Sequence, residues 1–149
     1  MTRKNLIITV TILLYSIFTI SYADENVTHN PLRSVMDVMT KDIVPATNTL
    51  WAVDNPNGDE AWNQLESAAL QVIRSGKEIK HGGSGAQDNN WVKQSDWQAF
   101  TNEMINSGEQ AIAAIHKKDV DALLDVGDAL YQSCESCHLS YNPAVVNAE

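Results

Sequence analysis

Basic residues are scarce in this 149-residue chain: ten Lys and Arg stand against nineteen Asp and Glu, a formal net charge of −9. So acidic a surface argues against nucleic acid and anionic membrane as partners, because like charge repels. Cysteine is scarcer still. Two in the whole chain exclude a disulfide-stapled scaffold, which needs several bridges. Strand patterning is missing, since no segment alternates apolar and polar residues over a strand's length. Long apolar runs are missing too. The longest is about 15 residues, short of the roughly 20 that span a bilayer.

That run is Leu6 to Ile20, preceded by Arg3 and Lys4 and followed by Ser21-Tyr22-Ala23. A positive start, an apolar middle and small residues where a signal peptidase reads are the marks of a cleaved secretory signal. Residues 1–23 are expected to be removed. Residues 24–149 then form a single domain with one core. Cleavage removes two cations and no acid, so the domain is more acidic still. Export places it in the periplasm, with no membrane contact after cleavage.

What remains is helical in period. Residues 24–31 are polar and end in Pro31, a loose lead-in. Four segments follow. Leu32, Met36, Met39, Ile43, Ala46 and Leu50 recur at spacings of three and four, with Pro45 inside, where it should kink or break the helix. Trp62, Leu65, Ala69, Val72, Gly76 and Ile79 share a second face, with Asp59 as the expected N-cap. Trp97, Phe100, Met104, Gly108, Ala111 and Ile115 share a third, capped by Ser95 or Asp96. Val120, Leu123, Gly127, Leu130, Cys134, Cys137 and His138 follow Asp119, and Pro143 stops that helix. Asp54-Asn55-Pro56-Asn57-Gly58 is a turn. A long loop runs from the Gly-rich stretch at His81 to about Gln94, and Lys117-Lys118 is nearly the whole last connection. Short links favour antiparallel neighbours. The expected fold is all-α: an antiparallel up-and-down four-helix bundle.

The last helix carries Cys134-Glu135-Ser136-Cys137-His138. This is C-x-x-C-H, the attachment signature of a c-type haem. Two thiols that far apart can each form a thioether to one vinyl group, and the next residue, His138, supplies an axial nitrogen to the iron. Other readings account for less. A thioredoxin-like redox pair wants a βαβ context and leaves His138 unexplained. A zinc site needs further ligands, and His29, His81 and His116 show no paired spacing. A disulfide within one helical turn meets narrow S–S geometry. Haem uses every residue of the motif. One covalently attached haem c, lying in the bundle core near the end of the last helix, is therefore expected.

The pattern Tyr131-x-x-Cys134-x-x-Cys137-His138-x-x-Tyr141 at the end of a four-helix chain resembles the class II c-type cytochromes, cytochrome c′ and its low-spin relatives. The resemblance spans residues 24–149 and is sharpest over the last twenty. Leu50-Trp51, Trp62-x-x-Leu65-Glu66 and Asp96-Trp97 are weaker matches. It implies a haem inside the bundle, His138 as proximal ligand, a distal face covered by the first helix, and homodimers in many members. The chain departs from the family where a basic residue usually follows the proximal His: here Leu139, Ser140 and Tyr141 follow.

The distal ligand decides the function. A Met thioether on the sixth position gives a closed iron suited to electron transfer; an apolar cover leaves it open to small gases. Met39 is the favoured distal ligand and Met36 the second, although Met on an apolar stripe is most often core filler. Trp51, Trp62 and Trp97 are expected to pack in the core or at the haem edge, and Trp91 to fold back over that edge. Tyr131 and Tyr141 are expected near the porphyrin. Arg33 could pair with a propionate or stay solvated. His116 suits a helix end; Asp121, Asp125 and Asp128 suit a solvated face. The expected function is outer-sphere electron transfer to a redox partner with a basic docking face. The alternative is a five-coordinate, cytochrome c′-like protein that binds NO or CO. No catalytic constellation exists beyond the iron, so the chain is not expected to be an enzyme.

Overall fold

The computed structural model describes residues 33–146. The expected signal segment, the lead-in, His29 and Leu32 lie outside the described residues. Within them every regular element is a helix, with no strand. A first helical run comprises α1 (Val35–Val38), a π-turn (Met39–Ile43) and α2 (Val44–Trp51). Then come α3 (Gly58–Lys80), a short α4 (Asp88–Trp91), α5 (Ser95–Lys117), α6 (Val120–Tyr141) and a short α7 (Pro143–Val146). The stretch expected as one long loop after His81 therefore holds a turn of helix.

The apolar stripes of α3, α5 and α6 decide the packing. α5 lies against both α3 and α6, and α2 lies against α3 and touches α6. Val72 and Leu130 are completely buried, and Met104 nearly so. Each such side chain contributes about 1.5–3 kcal/mol of transfer free energy. α3 and α5 approach closely where each has a glycine: a Cβ on Gly108 would stand 2.6 Å from Ile73 Cγ1, and one on Gly76 would stand 2.9 Å from Ile105 Cγ1.

The caps differ in part from expectation. Asp119 caps α6 as expected, accepting from the Ala122 amide at 3.0 Å. Asp59 does not cap α3. Asn57 precedes that helix, and Asp59 sits in its first turn facing Lys118 at 2.9 Å. Ser95 and Asp96 likewise fall inside α5, after Gln94. A carboxylate in the first turn still complements the helix dipole, so either place is favourable.

Pro45 neither breaks the first helix nor stands in an ordinary one. The Val44 amide bonds the Met39 carbonyl, five residues back instead of four. This wide turn leaves Pro45 near the start of α2, where its missing N–H costs little. The buried residues record the extra residue: Val35 and Val38, then Ile43, Ala46 and Leu50. The step from Val38 to Ile43 is five. The expected stripe holds from Ile43 onward and is corrected before it. Met36 is 57% exposed and Met39 half-buried, while the valines fill the core.

Candidate functional site

Cys134, Cys137 and His138 occupy spacings of three and four on α6, one helical face. Cys137 is buried and Cys134 half-buried, and both are free thiols. Burial pushes the Cys137 thiol up to about 12, with Cys134 and Asp96 adding to the effect. Burial also raises the Cys134 thiol, partly offset by a hydrogen bond with Ser133. Reactive redox pairs need the opposite, a stabilised thiolate, so these thiols do not suit the thioredoxin-like reading. Burial lowers the His138 pKa, which favours the neutral imidazole that a metal requires.

Two cavities flank His138. The larger, about 420 Å³, is bordered by Cys137, Trp91, Trp97 and Tyr141. The smaller, about 280 Å³, is bordered by Cys134, Trp51 and Tyr131. Both are lined by Met39, Val44, His138 and Val145. His138 and Met39 thus stand between two openings, and each opening has one of the two thiols on its margin. Met36 reaches only the larger.

The larger cavity has an aromatic wall. Trp91 stacks on Trp97 with centroids 5.3 Å apart, and Tyr141 meets Trp97 edge-on at 5.0 Å. Trp97 Nε1 donates to the Ile79 carbonyl at 3.1 Å, which fixes the indole. The Tyr141 hydroxyl donates to Asp96 at 2.5 Å. Burial, with that carboxylate beside it, pushes the phenol up to about 12; in return the hydrogen bond holds the Asp96 carboxyl below its usual range. On the other side, Trp51 Nε1 donates to the Gly127 carbonyl at 3.1 Å and its ring meets Tyr131 edge-on at 6.1 Å. Trp62 is instead buried in the core, away from both cavities. Pro143 ends α6 as expected but also starts α7, whose Val145 lines both cavities together with His138.

Arg33 does not face either cavity. Its guanidinium pairs with Asp42 at 2.5 Å and with Glu78 at 3.3 Å. The hydrogen bond to Asp42 raises its already high pKa. The propionate role is therefore withdrawn: two carboxylates already occupy that fork. His116 is bonded to Glu66 of α3 at 2.8 Å, a tie between helices that the helix-end reading did not include. Asp121, Asp125 and Asp128 are exposed, as a solvated face should be.

Asp88 was not singled out from the sequence. It is 3% exposed, and its Oδ2 accepts from the Val35 amide at 2.9 Å and the Gly85 amide at 2.8 Å. The glycines explain themselves here: a Cβ on Gly85 would stand 2.6 Å from the Asp88 carboxylate, and one on Gly83 2.7 Å from the Arg33 carbonyl. The local signal was a Gly-rich turn followed three residues later by Asp, a pattern in which a carboxylate collects turn amides.

Among the described residues, no three His, Cys, Asp or Glu side chains gather as a metal site. No helix among them is long and apolar enough to cross a membrane. No family model, curated protein or solved structure matches the chain.

Proposed function

We propose that this chain is a periplasmic monohaem c-type cytochrome that carries electrons by outer-sphere transfer. In this reading its helical segments form an antiparallel up-and-down four-helix bundle around the haem. The observation that carries it is the pair of cavities beside His138 and Met39, one bordered by Cys137 and the other by Cys134. A second feature supports the fit. Among the described residues, five of the eight exposed large apolar side chains, Met36, Val44, Trp51, Tyr131 and Val145, line these two cavities. Apolar side chains gathered around a cavity suit an apolar ligand.

Bound there, haem supplies a one-electron iron couple. Cys134 and Cys137 would each add S–H across a vinyl group, which consumes no oxidant and expels no leaving group. His138 would give an unprotonated ring nitrogen to the iron, and Met39 its thioether. Trp91, Trp97 and Tyr141 exclude water on one side, and Trp51 with Tyr131 on the other. A dry, apolar surround keeps the charge-transfer site rigid and tunes its potential. The acidic surface favours a partner with a basic docking face.

The test is the absorption spectrum of the reduced protein, made in a host competent for cytochrome c maturation, with and without carbon monoxide. A c-type spectrum unchanged by carbon monoxide is expected. A shift with carbon monoxide would move the reading to gas binding at an open distal face, and a protein without a haem spectrum would remove both.

A further inference from the structure

We infer that Pro45 is the positioning residue for Met39: it holds the π-turn, and that turn swings Met36 and Met39 from the core stripe onto the cavity that His138 lines. The argument rests on the order of buried residues. Downstream of the turn the core face runs through Ile43, Ala46 and Leu50. Continued backward at 3.6 residues per turn, that face would take in Met39 and Met36 and turn Val38 outward. The structure has the reverse. Val38 is 2% exposed, Met36 is 57% exposed, and Met39 lines both cavities.

One extra residue in a helical turn shifts everything before it by roughly 100°. The shift needs a cause, because π-turns are less favourable than α-turns and short ones mark functional sites. Pro45 supplies it. In an α-helix the proline ring would press on the carbonyl of Lys41, four residues back, and the missing N–H would leave that carbonyl unpaired. The wide turn alters that local geometry, with the Val44 amide bonding the Met39 carbonyl. The far end of α1 is pinned in the shifted register by Asp88, which holds the Val35 amide at 2.9 Å. Proline thus acts on a methionine six residues upstream through helix phase.

The inference rests on the haem reading for what Met39 serves, but its test has a haem-independent arm. Two variants of the full chain are made in the maturation-competent host: Pro45→Ala, and Pro45→Ala with Thr40 deleted. Removing proline permits an α-turn, which rotates the methionines into the core. Deleting Thr40 removes the extra residue, so an all-α helix again faces Val35 and Val38 inward and returns the methionines to the cavity. The first readout is the rate at which peroxide oxidises Met36, followed by mass spectrometry. The second is the response of the reduced spectrum to carbon monoxide.

Pro45→Ala is expected to slow Met36 oxidation several-fold and to make the spectrum respond to carbon monoxide. The deletion is expected to reverse both. Unchanged or faster Met36 oxidation in Pro45→Ala overturns the inference. So does a slowing that the deletion does not reverse, which would make the effect one of general packing. A parent protein without haem would remove the functional reading alone; the oxidation rates would still decide the register.

Discussion

The Asp88 carboxylate accepts the amide of Val35 at 2.9 Å, across 53 positions of the chain. The same oxygen accepts the Gly85 amide, and the side chain is almost fully buried. One residue therefore ties the Gly-rich turn to the start of the helix that carries Met36 and Met39.

Asp88→Ala should destabilise the protein by about 1–3 kcal/mol for each amide left buried without a partner. Asp88→Asn, which keeps one carboxamide oxygen, should lose less. Gly85→Ala should also destabilise, because its Cβ would fall within 2.8 Å of three Asp88 carboxylate atoms. Urea unfolding followed by circular dichroism gives all three values. Full stability in Asp88→Ala would show that water replaces the carboxylate.

Ser34 and Asp37 form a capping box at α1, with the Asp37 amide donating to Ser34 Oγ at 3.0 Å. Lys41 and Ser34 hold the Asp37 carboxyl at about 2, below its ordinary 3.8. A depressed carboxyl stabilises the fold above its unfolded pKa and loses that contribution as pH falls through its folded pKa. The first helix should therefore keep Asp37 ionised until pH falls from about 4 toward 2. Ser34→Ala should cost about 1 kcal/mol and raise the Asp37 titration toward 3.8. Carboxyl NMR across that range would detect it, and an unmoved midpoint would refute the coupling.

Gly108→Ala sets two effects in opposition. Replacing a mid-helix glycine gains up to about 1 kcal/mol of propensity. The new methyl would meet Ile73 Cγ1 at 2.6 Å and the Ala69 carbonyl at 3.4 Å. Overpacking costs about 1–3 kcal/mol, so the net change should be a destabilisation of about 0–2 kcal/mol, visible as a lower thermal midpoint. A clear gain would show that α3 and α5 can separate freely.

Met39→Ala should open the distal face, and the reduced spectrum should then shift with carbon monoxide. Met36→Ala, which removes a side chain that reaches only the larger cavity, should leave the spectrum closed. The opposite pattern would transfer the ligand role to Met36.

Much of the architecture was legible in the chain. The stripes of α3, α5 and α6 obey one period from end to end, and Trp62, Leu65, Val72, Met104 and Leu130 are buried as the spacing required. The C-x-x-C-H spacing alone puts Cys134, Cys137 and His138 on one face of one helix, because three and four residues are each close to a helical turn. The first helix was misread before Ile43, since a fixed period cannot anticipate a turn with one residue more. The sequence left the partner of Arg33 open, because Asp42 and Glu78 are chosen by distance in space. The same holds for Asp88 and Val35. Local sequence determines phase and covalent spacing, which act over a few residues. Only the folded chain decides which side chains meet when many positions intervene, as when Asp88 takes the Val35 amide across 53 positions.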